Sequence, residues 1–197
     1  MKVINIWCDG ACVPNPGTGG YAAIVLDHDD PSFVVMGYEE ETTNNRMEMM
    51  AVLASMQEIE YDNNITINLH SDSQLIIGTM SQGWGSSLNL DLWDKIKKLN
   101  SKLNVNWIKV KGHSGLKYNE ECDRLATLCI LNKYERTKIA YDGLKNIQVD
   151  QVSTITYEDT KNQWKRVLVN SLKPEIQSAS LNDFFAEDDQ PMEVKCS

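Results

Sequence analysis

Three strand-like segments follow one another with only short connections before any helix begins, and this succession limits the fold more than any other feature. Residues 2–8 (KVINIWC) alternate, with Ile4, Ile6 and Cys8 on one face. A turn-rich loop holding Pro14, Pro16, Gly17, Gly19 and Gly20 comes next. YAAIVLD and SFVVMGYE then read as two further strands joined by HDDP. Segments joined so closely pair with their neighbours in antiparallel sense, so a meander is predicted.

After Thr42 and Thr43 the period changes. Met47, Met50, Ala51 and Ala54 begin an apolar stripe at helical spacing that runs to Ile59, and Asp62-Asn63-Asn64 closes it. ITINLHSD is a fourth strand, SQLIIGTM a short helix and QGWGSS a loop. LDLWDKIKKLNSKL is an amphipathic helix with Leu92, Ile96, Leu99 and Leu103 as its buried stripe. VNWIKV is a fifth strand, and NEECDRLATLCILNKYE a last helix with Leu125, Leu128 and Cys129 facing inward. A strand that follows a helix returns parallel to a neighbour through a crossover. The order β-β-β-α-β-α-α-β-α therefore predicts an α/β domain over residues 1–135. Its mixed sheet has five strands, three antiparallel and two further parallel, flanked by helices.

Residues 136–176 form an extension in which IQVDQVSTITYE suggests short strands. Within it, TKNQWKRVLVNSLK places Trp164, Val167, Leu168 and Leu172 at helical spacing. Residues 177–197 are acidic and polar and are expected to be disordered in isolation.

Hydrophobic residues make up 42% and charged residues 24% of the 197, ordinary for a soluble domain with an appendage. No apolar run approaches the ~18 residues of a membrane helix, and the N-terminus lacks a signal-peptide pattern. A cytoplasmic protein, expected to be monomeric, follows. Cys8, Cys12, Cys122, Cys129 and Cys196 form an odd set without a CxxC pair, which suits reduced, mostly buried thiols. His28, His70 and His113 are scattered, so no zinc spacing arises. The net charge of −9 argues against a nucleic-acid partner, but its distribution does not. Lys95, Lys97, Lys98, Lys102, Lys109, Lys111 and Lys117 fall in a stretch to Asn119 that contains no Asp or Glu. Such a stretch makes either a phosphate-binding face or a solvated helix face.

Four acidic residues stand in distinctive surroundings: Asp9 in CDGACVPNPGTGGYA, Glu48 in TTNNRMEMMA, Asp72 in LHSDSQL and Asp123 in GHSGLKYNEECDRLA. Gathered by the fold, they could not all stay ionised without cations, and carboxylates alone suit hard ions such as Mg²⁺. Each residue also has a plainer reading. Asp9 ends the first strand, where Asp-Gly commonly starts a turn. Glu48, among Met47, Met49 and Met50, is either an exposed helix residue, a capping-box partner of Asn45, or a buried cation ligand. Asp72 closes the fourth strand and meets Asp9 if strands one and four are parallel neighbours. Asp123 lies in the first turn of the last helix, where the helix dipole favours a carboxylate.

In this order and at this spacing, the four motifs resemble those of type 1 ribonuclease H over residues 1–133. The resemblance implies a ribonuclease H-like fold. It also implies an endonuclease that hydrolyses the RNA strand of RNA–DNA hybrids to 5′-phosphate products, in primer removal or R-loop clearance during DNA replication. Asp9, Glu48, Asp72 and Asp123 would hold two Mg²⁺ or Mn²⁺ ions, one activating a water and the other stabilising the 3′-oxygen leaving group. His113, between glycines, would assist proton transfer or product release. Gly10, Cys12, Asn15, Asn44, Asn45, Gln74 and Asn119 match positions that contact the hybrid, reading ribose 2′-hydroxyls in the wide minor groove. The alternatives are a catalytically weak hybrid-binding module and an acidic-quartet 3′–5′ exonuclease. The exonuclease expects Asp-x-Glu where Asp9-Gly10-Ala11 stands.

Two departures are visible. The basic protrusion found in several family members is missing, since TMSQGWGSSLN carries no Lys or Arg. Lys109 stands where an aromatic residue is familiar. In the tail, SASLNDFF resembles the short peptides that dock on DNA sliding clamps. Leu181, Phe184 and Phe185 would fill an apolar groove there, or pack on the protein's own surface.

Overall fold

The structure is a computed structural model, and it describes residues 2–146. The short strands read in IQVDQVSTITYE, the helix at TKNQWKRVLVNSLK and the acidic tail fall outside the described residues. Strands β1 (Lys2–Cys12), β2 (Gly17–Asp27) and β3 (Asp30–Thr42) form the expected antiparallel meander. Helix α1 (Asn44–Gln57) crosses over to β4 (Ile65–Ser71), which lies parallel to β1. Helices α2 (Gln74–Ser81) and α3 (Leu90–Asn100) lead to β5 (Val105–Lys109), parallel to β4. Helix α4 (Lys117–Asn132) follows, then β6 (Thr137–Ala140) and a 3₁₀ turn at Tyr141–Asn146. The strand order is β5-β4-β1-β2-β3-β6.

Among the described residues the sheet therefore has six strands, not the five expected. The addition is β6, antiparallel to the β3 edge with Phe33 opposite Ala140 and Met36 opposite Thr137. Thr-Lys-Ile-Ala is too short to show an alternating pattern, and its place is set by neighbours distant in sequence. Glu58, just past α1, accepts from Arg136 and from Lys138, each at 3.0 Å, while Arg136 also donates to Gln57 at 2.8 Å.

Alternation along the strands sorts side chains into two cores. Ile4, Ile6, Ala23 and Val25 pack under α1 and α3 with Met47, Val52, Trp93 and Ile96. Ala22, Ile24 and Val34 pack under α4 with Leu125, Ala126 and Cys129. Leu125, Leu128 and Cys129 are buried as predicted, and Cys8, Cys12, Cys122 and Cys129 are buried free thiols. Two glycines let the helices sit this close. A Cβ on Gly10 would lie 2.3 Å from the Glu48 amide nitrogen, and one on Gly20 would lie 2.1 Å from the Ala126 carbonyl oxygen. Among the described residues, no helix is long and apolar enough to cross a membrane.

Candidate active site

The pairing of β1 with β4 brings Asp9 and Asp72 together. Trp7 and His70 are register partners, and their rings stack with centroids 4.2 Å apart. Each stands two residues before an acid, Asp9 on one strand and Asp72 just past the other, so this cross-strand pair sets both at one level. Asp9 does not end its strand, because β1 runs on to Cys12 and pairs with β2 through Gly19. It is buried, and one of its oxygens accepts from the Gly10 amide at 2.7 Å.

Glu48 arrives on the first turns of α1. Thr43 caps that helix by accepting from the Arg46 amide at 3.4 Å. A capping box between Asn45 and Glu48 does not form. The Glu48 carboxylate instead accepts from Asn44 Nδ2 at 3.0 Å. Arg46 grips both Asp91 oxygens at 3.0 Å and Asn89 at 3.3 Å, tying the start of α1 to the start of α3. Sequence reading missed this tether, since its partners lie more than forty residues apart with no motif to link them.

Asp9, Glu48 and Asp72 converge, with one carboxylate oxygen from each within 4.8 Å of the others. Asp123 lies close enough for its charge to act on Asp9. It sits one turn deeper than expected, because α4 begins at Lys117 and Glu120 occupies the first turn. Glu120 accepts from the Gly115 amide at 2.7 Å, so the plain helix-start reading belongs to Glu120.

Burial is the first cause of strain on these charges, and mutual repulsion the second. Asp9 is raised well above the usual carboxylate range by burial, Asp72 and Asp123. Glu48 is pushed up to about 7 by burial and Asp72, against the pull of Ser73, Lys109 and Asn44. Burial and Asp72 also raise Asp123, while the charge of His113 lowers it. His113 is exposed on the turn between β5 and α4, with a left-handed backbone at φ 48°. Oxygen-only donors that repel one another when ionised fit a hard divalent cation, which removes the repulsion that protons otherwise relieve.

The remaining candidates divide by exposure. Asn15, Asn45 and Gln74 are exposed, and Asn44 is half-buried with Asn15 accepting from its backbone amide at 3.2 Å. Gly10 and Cys12 are buried, and the Cys12 thiol donates to the Pro14 and Thr42 carbonyls. Asn119 is only 2% exposed and donates to Asp72 Oδ2 at 3.3 Å, which steadies that carboxylate from behind.

An α/β sheet with acids from β1, from α1 and from just past β4 brought together could hold a divalent cation of the kind used in phosphoryl chemistry. The RNase H family model matches residues 1–130, so the chain belongs to the RNase H family and is a hydrolase of that family. It is 40% identical over 141 residues to a ribonuclease H of Thermoanaerobacter sp. (strain X514), covering 64% of this chain and 89% of that protein. The ribonuclease H of Chlorobaculum parvum is 38% identical over 143 residues, covering 66% and 96% respectively. In fold, the chain is similar to RNase H1 from Halobacterium salinarum NRC-1, with a TM-score of 0.56, 22% identity and coverage of 66% and 98%. LC11-RNase H1, solved in complex with RNA/DNA hybrid, gives a TM-score of 0.56, 21% identity and coverage of 66% and 97%.

The raised acid of Glu48 has a thermodynamic consequence. Its folded value is about 7 against an ordinary 4.5, so the folded protein binds more protons between those pH values than the unfolded chain. Stability without metal then falls as pH rises through that window and levels off above it. Glu48→Gln removes the effect. Its stability advantage over wild type, measured by denaturant unfolding in chelator, is expected to grow from pH ~4.5 to ~7, by on the order of 1–3 kcal/mol. A constant difference across that range would contradict this electrostatic account.

Proposed function

We propose that this chain is an endonuclease that hydrolyses the RNA strand of RNA–DNA hybrids to 5′-phosphate ends, in primer removal or R-loop clearance. The observation that carries the reading is the convergence of Asp9, Glu48 and Asp72 in a chain of the RNase H family. Asp9, Glu48, Asp72 and Asp123 would hold Mg²⁺ or Mn²⁺. Bound there, a pair of such ions supplies positive charge for both the attacking and the leaving oxygen of a phosphodiester displacement.

The chain's own residues do the rest. Asn44 and Asn119 orient Glu48 and Asp72 through their side-chain amides. His113, exposed beside Asp123, carries protons between the site and solvent. Exposed Asn15, Asn45 and Gln74 offer donors and acceptors to the 2′-hydroxyls that distinguish RNA. Gly10 serves by its smallness, and Cys12 by supporting the backbone at Thr42. With no basic protrusion, lysines of α3, of the turn after it and of the β5–α4 region supply contacts to phosphates; Lys95, Lys97, Lys98, Lys102, Lys111 and Lys117 are exposed. The enzyme acts as a cytoplasmic monomer.

Substrate choice tests the reading. With Mg²⁺, the RNA strand of a labelled hybrid is expected to be cut internally, while duplex RNA and duplex DNA of the same sequence stay intact. Equal cutting of duplex RNA would exclude the 2′-hydroxyl reading on one strand only. Leu181, Phe184 and Phe185 would dock on a sliding clamp, leaving catalysis to the folded domain. Removal of residues 178–197 is then expected to change hydrolysis of free hybrid less than about twofold, measured as initial rate. Loss of that activity would rule out a docking-only role for the tail.

A further inference from the structure

Strand β5 ends at Lys109, in register with Ser71, the residue immediately before Asp72. The Lys109 ammonium donates to the backbone carbonyl of Asp72 itself. One residue on, the Val110 amide donates to the Ser71 carbonyl at 3.1 Å. The end of β5 is thus stitched to the end of β4 where the carboxylate stands. Lys109 is exposed, so its ammonium keeps contact with solvent while it holds the Asp72 carbonyl. Its charge also acts on Glu48, opposing the effect of burial there.

We propose that Lys109 is a built-in counter-cation of the Asp9–Glu48–Asp72 cluster: it offsets carboxylate repulsion when no metal is bound and weakens the cluster's hold on divalent ions. This rests on the reading of the cluster as a Mg²⁺ site. A fixed positive charge attracts the bare carboxylates and so stabilises the metal-free fold. The same charge repels an incoming divalent ion. A lysine that merely buttressed the strand end would stabilise the free and loaded protein alike. At this position an aromatic residue could do neither electrostatic task.

The test uses the full chain, stripped with chelator and titrated with MgCl₂ by calorimetry at fixed ionic strength, with thermal unfolding read alongside. Lys109→Met is expected to bind Mg²⁺ about three- to tenfold more tightly than wild type. It should melt lower without metal and regain that loss as Mg²⁺ is added. Lys109→Arg keeps the charge and is expected to stay within about twofold of wild type in Mg²⁺ affinity. Unchanged or weaker Mg²⁺ binding by Lys109→Met overturns the proposal, as does an equal loss of melting temperature with and without Mg²⁺. Asp72→Asn separates the two levels. If wild type and Asp72→Asn take up Mg²⁺ alike, or neither takes it up, the cation reading of the cluster fails and the counter-cation goes with it.

Discussion

Asp9→Asn is expected to abolish hybrid cleavage, lowering the rate at least ~1,000-fold, while making the metal-free protein more stable. The two effects share one cause. Asp9 is buried and faces Asp72, Asp123 and Glu48, so its negative charge is unfavourable until a cation arrives. An asparagine there still accepts from the Gly10 amide, keeps the volume and removes one repelling charge. It also removes an anionic ligand, and a thousandfold loss corresponds to ~4 kcal/mol of barrier. Initial rates on a labelled hybrid and unfolding in chelator at neutral pH measure the pair. An active variant, or one less stable than wild type without metal, would contradict the assignment of Asp9 to the cluster.

The second large effect is expected from Gly10→Ala. The added methyl would lie 2.3 Å from the Glu48 amide nitrogen and 2.4 Å from the Met47 carbonyl carbon, both rigid helix backbone. Helix α1 must move away from β1, and Glu48 leaves Asp9 with it. Overpacking of this kind costs ~1–3 kcal/mol, and a displacement near 1 Å at a reacting centre costs roughly 100-fold in rate. Gly143→Ala is the control, because nothing lies within 4 Å of the Cβ it would add. It is expected to stay within ~0.5 kcal/mol of wild type. Full activity in Gly10→Ala would mean that the approach of α1 to β1 does not set the geometry of the acids.

Gly10 also shows where sequence reading reached its limit. Its motif implies a substrate contact; the close approach of α1, which adds a positioning role, joins segments that no local pattern links. Asn119 makes the same point, as a buried amide behind Asp72. Patterns within one segment, such as the meander, the helix stripes and the carboxylate motifs, were legible because local period and turn chemistry carry them. The parallel neighbours β1 and β4 were legible as a condition on the fold, and the structure meets it. What escaped was decided across distant segments. Strand β6 is placed by the β3 edge and by Glu58, nearly eighty residues away from its cations. The Arg46–Asp91 tether and the Lys109 contact to Asp72 likewise join residues tens of positions apart. Boundaries shifted for a related reason. Strand β1 runs past Asp9 because β2 continues to pair with it, and nothing in Asp-Gly-Ala-Cys announces that.

The central claim is that the carboxylate cluster cuts RNA within a hybrid, and one measurement meets it directly. A hybrid labelled along its RNA strand is incubated with Mg²⁺ and either wild-type protein or Asp72→Asn, and the products are resolved by length and end chemistry. The account predicts internal RNA cuts ending in 5′-phosphates for wild type, an intact DNA strand, and no cuts for Asp72→Asn. Products released one nucleotide at a time from a 3′ end, or tight binding of the hybrid by both proteins with no cutting by either, would contradict it.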